Sequence, residues 1–225
     1  MSKLELRWLG HACFELKYKD FTVVFDPFED NYVRGFGALD VAADLVLCSH
    51  FHNDHGAAYV VQPLEGHENP FQVTGIQTFH DPEQGALRGE NVIHVLEADG
   101  FRVAHLGDLG CELTPDQLDQ LMDLDVVMIP VGGFYTIGPD EAWDLIEAIQ
   151  PRVIIPMHYR MGDIGLEKVA ELNDFLVQIE EYNEYPGNTI TVDKKTEPQV
   201  AVLKFMLMVN LLDIPKTPLI SKNMK

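Results

Sequence analysis

His50-Phe51-His52-Asn53-Asp54-His55 follows directly on the apolar run Leu45-Val46-Leu47-Cys48 and leads into Gly56-Ala57-Ala58-Tyr59-Val60-Val61. An apolar run that ends in polar residues reads as a strand leaving the core for a turn. Alternate residues of an extended segment share a face, so His50 and His52 point the same way. Asp54 and His55 then sit where the chain turns into a segment that can begin a helix. Such a turn can aim two groups at one metal ion and two at a neighbour. Imidazole suits zinc, copper, iron or nickel, and the carboxylate widens the choice to manganese. A lone histidine more often packs or is solvated. Four ligand-type residues in six positions are much harder to assign to a merely polar loop.

At 225 residues the chain suits one large domain, and its 46% hydrophobic content is enough for a real core. We read 1–225 as a single domain with a loose tail from about residue 206. The N-terminus, Met1 to Trp8, alternates apolar and polar as a half-buried strand does, not as an export signal. The most apolar candidate for a membrane span, Ala201 to Leu212, is short and carries Lys204 and Asn210. Cys13, Cys48 and Cys111 cannot all pair within one chain and have no CxxC spacing, which suits a reducing cytoplasm. The net charge of −20, from 36 acidic against 16 basic side chains, repels phosphate backbones and argues against nucleic acid. It leaves room for a small anionic ligand, since one pocket arginine acts locally. Composition leaves a homo-oligomer open.

Leu4 to Leu9, Cys13 to Tyr18 and Phe21 to Phe25 read as a meander with turns near Gly10 and Lys19-Asp20. Asp44 to Ser49, Val92 to Glu97, Phe101 to His105 and Asp125 to Ile129 read as fully buried strands, and Val73 to Thr78 as a weaker one. Thr114-Pro115-Asp116-Gln117 is a capping box with proline at the first helical position. Ala142, Leu145, Ile146 and Ile149 follow helical spacing. So do Val169, Leu172, Leu176 and Ile179, in a longer helix expected to end near Asn183. Arg152 to Pro156 is a further strand, and Gln199 to Val209 fits either a closing strand or a helix. The order suits an α/β fold of two sheets faced by helices.

Further ligand-type residues lie at other strand ends: His80 after Gly75 to Phe79, Asp108 in Gly107-Asp108-Leu109-Gly110, and His158 after Val153 to Met157. With these in view, the chain resembles the metallo-β-lactamase superfamily, in particular its small, single-domain metal-dependent hydrolases. The residues that carry the resemblance are Gly10-His11-Ala12-Cys13-Phe14, Asp26-Pro27, the HxHxDH of 50–55, His80, Gly107-Asp108, Pro130-Val131-Gly132-Gly133 and Pro156-Met157-His158-Tyr159. The resemblance implies a four-layer αββα sandwich with two metal sites. His50, His52 and His80 match the ligands of one site. Asp54, His55 and His158 match the other, with Asp108 bridging and Asp26 bracing the ligand loop. His80 follows His55 by only 25 positions, closer than in the β-lactamases themselves and in keeping with the small hydrolases.

Those residues suit hydrolysis on chemical grounds too. Two divalent ions can lower the pKa of a shared water and stabilise the oxyanion that forms when it attacks a carbonyl or phosphorus. Zinc is the default from ligand type, with manganese, iron and nickel compatible. Asp54 or Asp108 can orient the water, and Tyr159 is a candidate donor to the oxyanion. Asp81 to Asn91 is a Gly-rich segment beside His80, well sited to meet substrate. Arg88, Arg160 and Asn91 are its candidate binders, with loop salt bridges an equal alternative for the arginines. Phe134, Tyr135 and Tyr159 are expected to line the pocket. His11 and His105 read as groups that orient ligands, His94 as packed within a strand, and His67 as solvated. Cys48 and Cys111 read as small buried hydrophobes.

The leading expectation is a cytoplasmic dinuclear hydrolase of a small ester, lactone or phosphoester. No export signal argues for a β-lactamase, and the charge argues against a tRNA-processing nuclease. A glyoxalase-type thioesterase would need an added helical domain, and a flavin-coupled di-iron enzyme a flavodoxin partner. From another class, a metal-binding regulator or sensor that keeps the site without turnover would use the same ligands. A complete seven-residue set favours catalysis.

Overall fold

Short apolar-rich runs whose successive side chains turn to opposite faces make the first three strands. In this computed structural model, which describes residues 2–205, β1 (Leu4–Gly10), β2 (Cys13–Tyr18) and β3 (Phe21–Phe25) form the expected antiparallel meander. Leu4, Leu6, Trp8, Phe14, Leu16, Tyr18, Phe21, Val23 and Phe25 all turn to one face and join the main core. The opposite face carries Cys13 and Val24, which pack under Phe28, Val33, Phe36, Val41 and Val61 in a smaller cluster. The first sheet is therefore covered on its outer side by a loop and the short strands β4 (Ala42–Ala43) and β6 (Gln62–Pro63), where the expected outer layer was helical.

β5 (Leu45–Leu47) pairs in parallel with β3 at the edge of that sheet. It is half-buried, which corrects the expectation of a fully buried strand over 44–49: an edge strand has one neighbour and exposes its other flank. The segment after the ligand run makes only a single 3₁₀ turn at Ala58–Val60.

The second sheet is built from β7 (Gln72–Phe79), β8 (Glu90–Ala98), β9 (Phe101–His105), β10 (Val126–Pro130), β11 (Val153–Met157), β12 (Asn183–Glu184) and β14 (Gln199–Val202). Its order is β12-β14-β11-β10-β9-β8-β7, while β13 (Thr189–Val192) returns to β1 and closes the first sheet as β13-β1-β2-β3-β5. Among the described residues three helices accompany the second half of the chain: α1 (Pro115–Asp119), α2 (Pro139–Ile149) and α3 (Leu172–Leu176). α2 buries Ala142, Ile146 and Ile149, as its spacing demands.

α3 is shorter than expected, because Asn183 and Glu184 are drawn into β12 beside β14 and the chain must extend to reach them. Gln199 begins a strand that ends at Val202, and residues 206–209 of that segment, like the tail, lie outside the described residues. Among the described residues no helix is long and apolar enough to cross a membrane.

Strand direction then fixes where the site must be. β9, β10 and β11 are parallel, and β7 shares their direction through two antiparallel steps across β8. Their C-terminal ends lie along one edge of the second sheet. The register Trp8↔Phe14↔Phe25↔Leu47 puts the C-terminal ends of β1, β3 and β5 together on one edge of the first sheet.

Candidate metal centre

Each ligand-type residue follows one of those strand ends: His11 after β1, Asp26 after β3, His50 to His55 after β5, His80 after β7, Asp108 after β9 and His158 after β11. The loops meet closely. A Cβ on Gly132, in the loop after β10, would collide with the His158 carbonyl oxygen, so only glycine lets that loop lie against the ligand.

Two imidazole-rich clusters result. The ligand atoms of His50, His52 and His80 lie within 4.8 Å of one another, as do those of His11, Asp54, His55 and His158. The Asp108 carboxylate stands between them. Its Oδ2 is 3.2 Å from His80 Nε2, 3.3 Å from His158 Nε2 and 4.0 Å from His50 Nε2, and its Oδ1 is 3.2 Å from His55 Nε2. All seven residues expected to hold metal are thus brought together.

Hydrogen bonds behind the rings set their tautomers. The buried Asp26 accepts from Ser49 N at 2.6 Å and Ser49 Oγ at 2.7 Å, and its Oδ2 lies 2.8 Å from His55 Nδ1. Because Ser49 Oγ donates to Asp26, it accepts from His50 Nδ1 at 3.0 Å. His80 Nδ1 donates to the Tyr135 carbonyl at 3.0 Å. In all three rings the proton is held on Nδ1 and the Nε2 lone pair faces Asp108. The Nε2 atoms of His50, His55, His11 and His158, with Asp108 Oδ1, are buried without a hydrogen-bond partner. Buried polar atoms left unpaired are costly, and atoms of this chemistry converging on one point fit divalent cations. Asp26 is the expected brace. Ser49 and the Tyr135 carbonyl share its role, which their residue types alone do not announce.

The electrostatics agree. Burial, then the neighbouring His55, pulls His50 down to about 3. Burial, then His158, pulls His11 down to about 4. Both rings are neutral near pH 7 with lone pairs available. Burial opposes the charge on Asp108, yet the imidazoles of His158 and His55 hold its carboxyl well below the usual range. Burial likewise works against His55, but Asp108 and Asp26 on either side raise it well above an ordinary imidazole. Positive charge is therefore favoured at the point where His55 meets the two carboxylates.

The residues nominated for substrate divide. Asn91 is fully buried: its Nδ2 donates to Thr78 Oγ1 at 2.8 Å and the Leu106 carbonyl at 3.0 Å, and its Oδ1 accepts from Asp108 N at 2.9 Å. Every polar atom is engaged, so it holds the Asp108 loop and cannot bind substrate. Arg160 makes the loop salt bridge, 3.1 Å to Glu171, and donates to the Gly162 carbonyl at 2.7 Å. The Tyr159 ring is buried against Trp8 with centroids 5.4 Å apart, and burial pushes its hydroxyl far above the usual phenol range. That is a packing position, not the pocket lining expected for it.

Arg88 lines a cleft of about 680 Å³ with Pro82, Gly110, Phe134 and Tyr135. Its guanidinium lies 6.0 Å from the Phe134 ring and 5.7 Å from the Tyr135 ring. Of the other histidines, His94 bonds the Cys48 carbonyl, His67 pairs with Asp44 on the surface, and His105 stacks on Phe25 while bonding the Ala12 carbonyl. Histidine at a strand end is the signature that singled out His80 and His158, and His11 carries it too.

Comparison with known proteins agrees with this geometry. Residues 5–158 match the family model described as a beta-lactamase superfamily domain. The UPF0173 metal-dependent hydrolase of Thermoplasma acidophilum is 30% identical over 196 residues, covering 73% of this chain and 87% of the relative. That of Methanopyrus kandleri is 29% identical over 193 residues, covering 69% and 84%. Among solved structures, a Thermotoga maritima protein of the metallo-β-lactamase superfamily superposes with a TM-score of 0.73 at 34% identity, over 90% of this chain and all of that one. The two-sheet α/β fold, the donor set and these likenesses converge: the chain belongs to the β-lactamase superfamily and, within it, to the UPF0173 metal-dependent hydrolases.

Proposed function

We propose that the protein hydrolyses a small, anionic ester, lactone or phosphoester at a two-metal site. The Asp108 carboxylate, within 3.3 Å of imidazole nitrogens from both clusters, is the observation that carries this reading. His50, His52 and His80 would hold one ion, Asp54, His55 and His158 the other, and Asp108 both. Bound there, two divalent ions, zinc by default with manganese, iron or nickel as alternatives, supply a water of lowered pKa and positive charge for the developing oxyanion.

The chain's own residues do the rest. Asp26, through Ser49, His50 and His55, fixes the rings so that their lone pairs converge. Asp54 keeps 13% of its side chain exposed and its carboxyl is held below the usual range by His11 and His55 against the cost of burial, so it stays an acceptor that can orient the attacking water. Arg88 and Lys168 both lie over Phe134, Lys168 Nζ at 4.7 Å from the ring. Two cations placed over Phe134, in the loop whose Tyr135 carbonyl bonds His80, favour an anionic substrate in a protein of charge −20. Phe51, 88% exposed between two ligands, with Leu87 and Phe134, gives the rim apolar contact for the rest of the molecule. Three unpaired cysteines fit a reducing, cytoplasmic setting.

The test is turnover of chromogenic carboxylic esters, lactones and phosphodiesters by metal-reconstituted protein. His52 is exposed, so His52→Ala removes a ligand with little cost to the core. Metal-dependent turnover abolished by His52→Ala, and a KM for anionic substrates raised about 10-fold in Arg88→Ala, are expected. No turnover across the panel would favour the metal-binding regulator.

A further inference from the structure

We propose that His11 is itself a metal ligand, so that one site draws on five protein groups: His11, Asp54, His55 and His158, with Asp108 shared. The inference rests on the two-metal reading and extends it with a residue from the β1–β2 turn.

His11 lies in the β1–β2 turn with a left-handed backbone, φ +53°. Its carbonyl oxygen accepts from the Trp8 indole at 2.9 Å and from His158 N at 3.3 Å. The turn is thus tied directly to the backbone of a ligand. The ring sits 4.2 Å, centroid to centroid, from that of His158 and 5.1 Å from that of His55. It is 1% exposed, and neither of its nitrogens has a hydrogen-bond partner. An imidazole buried that fully is ordinarily satisfied by hydrogen bonds.

A merely orienting role fits poorly. The groups that orient ligands here do so at 2.6–3.0 Å and through Nδ1 or the backbone. His11 Nε2 is 3.5 Å from Asp54 Oδ2, and that atom remains without a hydrogen-bond partner. Two donor atoms held apart at that distance, within 4.8 Å of the His55 and His158 nitrogens, leave room for a cation among them. The two sites are then unequal. One has three imidazoles and Asp108; the other has three imidazoles and two carboxylates. Five protein donors exceed what tetrahedral zinc takes and suit ions that accept five or six ligands. The richer site is the tighter one.

Cobalt(II) titration of chelator-stripped protein, followed by visible absorption and by competition with a chelating dye, tests this. Wild type takes up two equivalents. His11→Ala is expected to weaken one of them by about 10- to 100-fold, leave the other unchanged, and intensify the visible bands as one ligand is lost. The metal-free variant is expected to melt no lower than metal-free wild type, because two unpaired buried nitrogens are gone, whereas its metal-induced rise in Tm shrinks. A packing role predicts the reverse pattern. If His11→Ala does not fold, His11→Phe keeps a ring in the turn and removes both nitrogens. Two unchanged cobalt affinities and an unchanged spectrum in either folded variant would overturn the assignment of His11. Uptake of a single equivalent by wild type would overturn the two-metal reading beneath it.

Discussion

Asn91 illustrates what residue type can and cannot announce. A polar residue in a Gly-rich segment beside a ligand invites a substrate-binding role, but its burial depends on β8 lying inside the sheet, which a single side chain does not encode. Asn91→Ala would strip partners from Asp108 N, Thr78 Oγ1 and the Leu106 carbonyl at once. We expect a loss of about 1–3 kcal/mol in stability and about 10- to 100-fold in metal affinity, read by urea unfolding and chelator competition. An effect on KM alone, with metal binding intact, would return it to the substrate. The ligands themselves were legible because clustered histidines and carboxylates at strand ends have little other use. His11 reads from the sequence as a group that orients ligands, since one histidine after a glycine does not show which rings it will meet until the second sheet brings His158 against it.

At the scale of elements, legibility followed periodicity. β2 and β3 begin and end where the alternation does, because one face of each is buried against the other sheet. Thr114, Pro115 and Gln117 specify the start of α1, and the structure has the reciprocal bonds, with Thr114 N donating to Gln117 Oε1 at 2.8 Å and Gln117 N to Thr114 Oγ1 at 3.4 Å. Thr114→Ala should cost about 1 kcal/mol, seen as a lower urea midpoint with unchanged slope; no change would mean the helix is held by packing alone. Long-range pairing was what the sequence left open. α3 stops at Leu176 because β12 must reach β14, and β5 is half-exposed because it sits at an edge. Both follow from neighbours more than a dozen residues away.

A dense cluster of buried ionisable groups lies where the C-terminal strand ends of the two sheets meet, and metal-free stability should report it. His11 and His50 titrate at about 4 and about 3 in the fold against an ordinary 6.5. The unfolded chain therefore binds more protons between those values, and stability falls as pH drops from about 6.5. Asp26, Asp54 and Asp108, all depressed, add to the loss below the ordinary carboxylate value of 3.8. His55 is raised, so its contribution is full below 6.5 and declines as pH rises through its folded value. In chelator, Tm should peak near pH 6.5 and fall on both sides. A Tm that rises steadily on acidification would contradict this charge arrangement.

In the proposed site two metal ions share Asp108. Metal content per chain, by elemental mass spectrometry on protein purified without chelator or affinity-column nickel, tests it most directly. We expect about two equivalents of transition metal in wild type and a clear drop in Asp108→Ala. No bound metal, even after reconstitution with zinc or manganese, would contradict it.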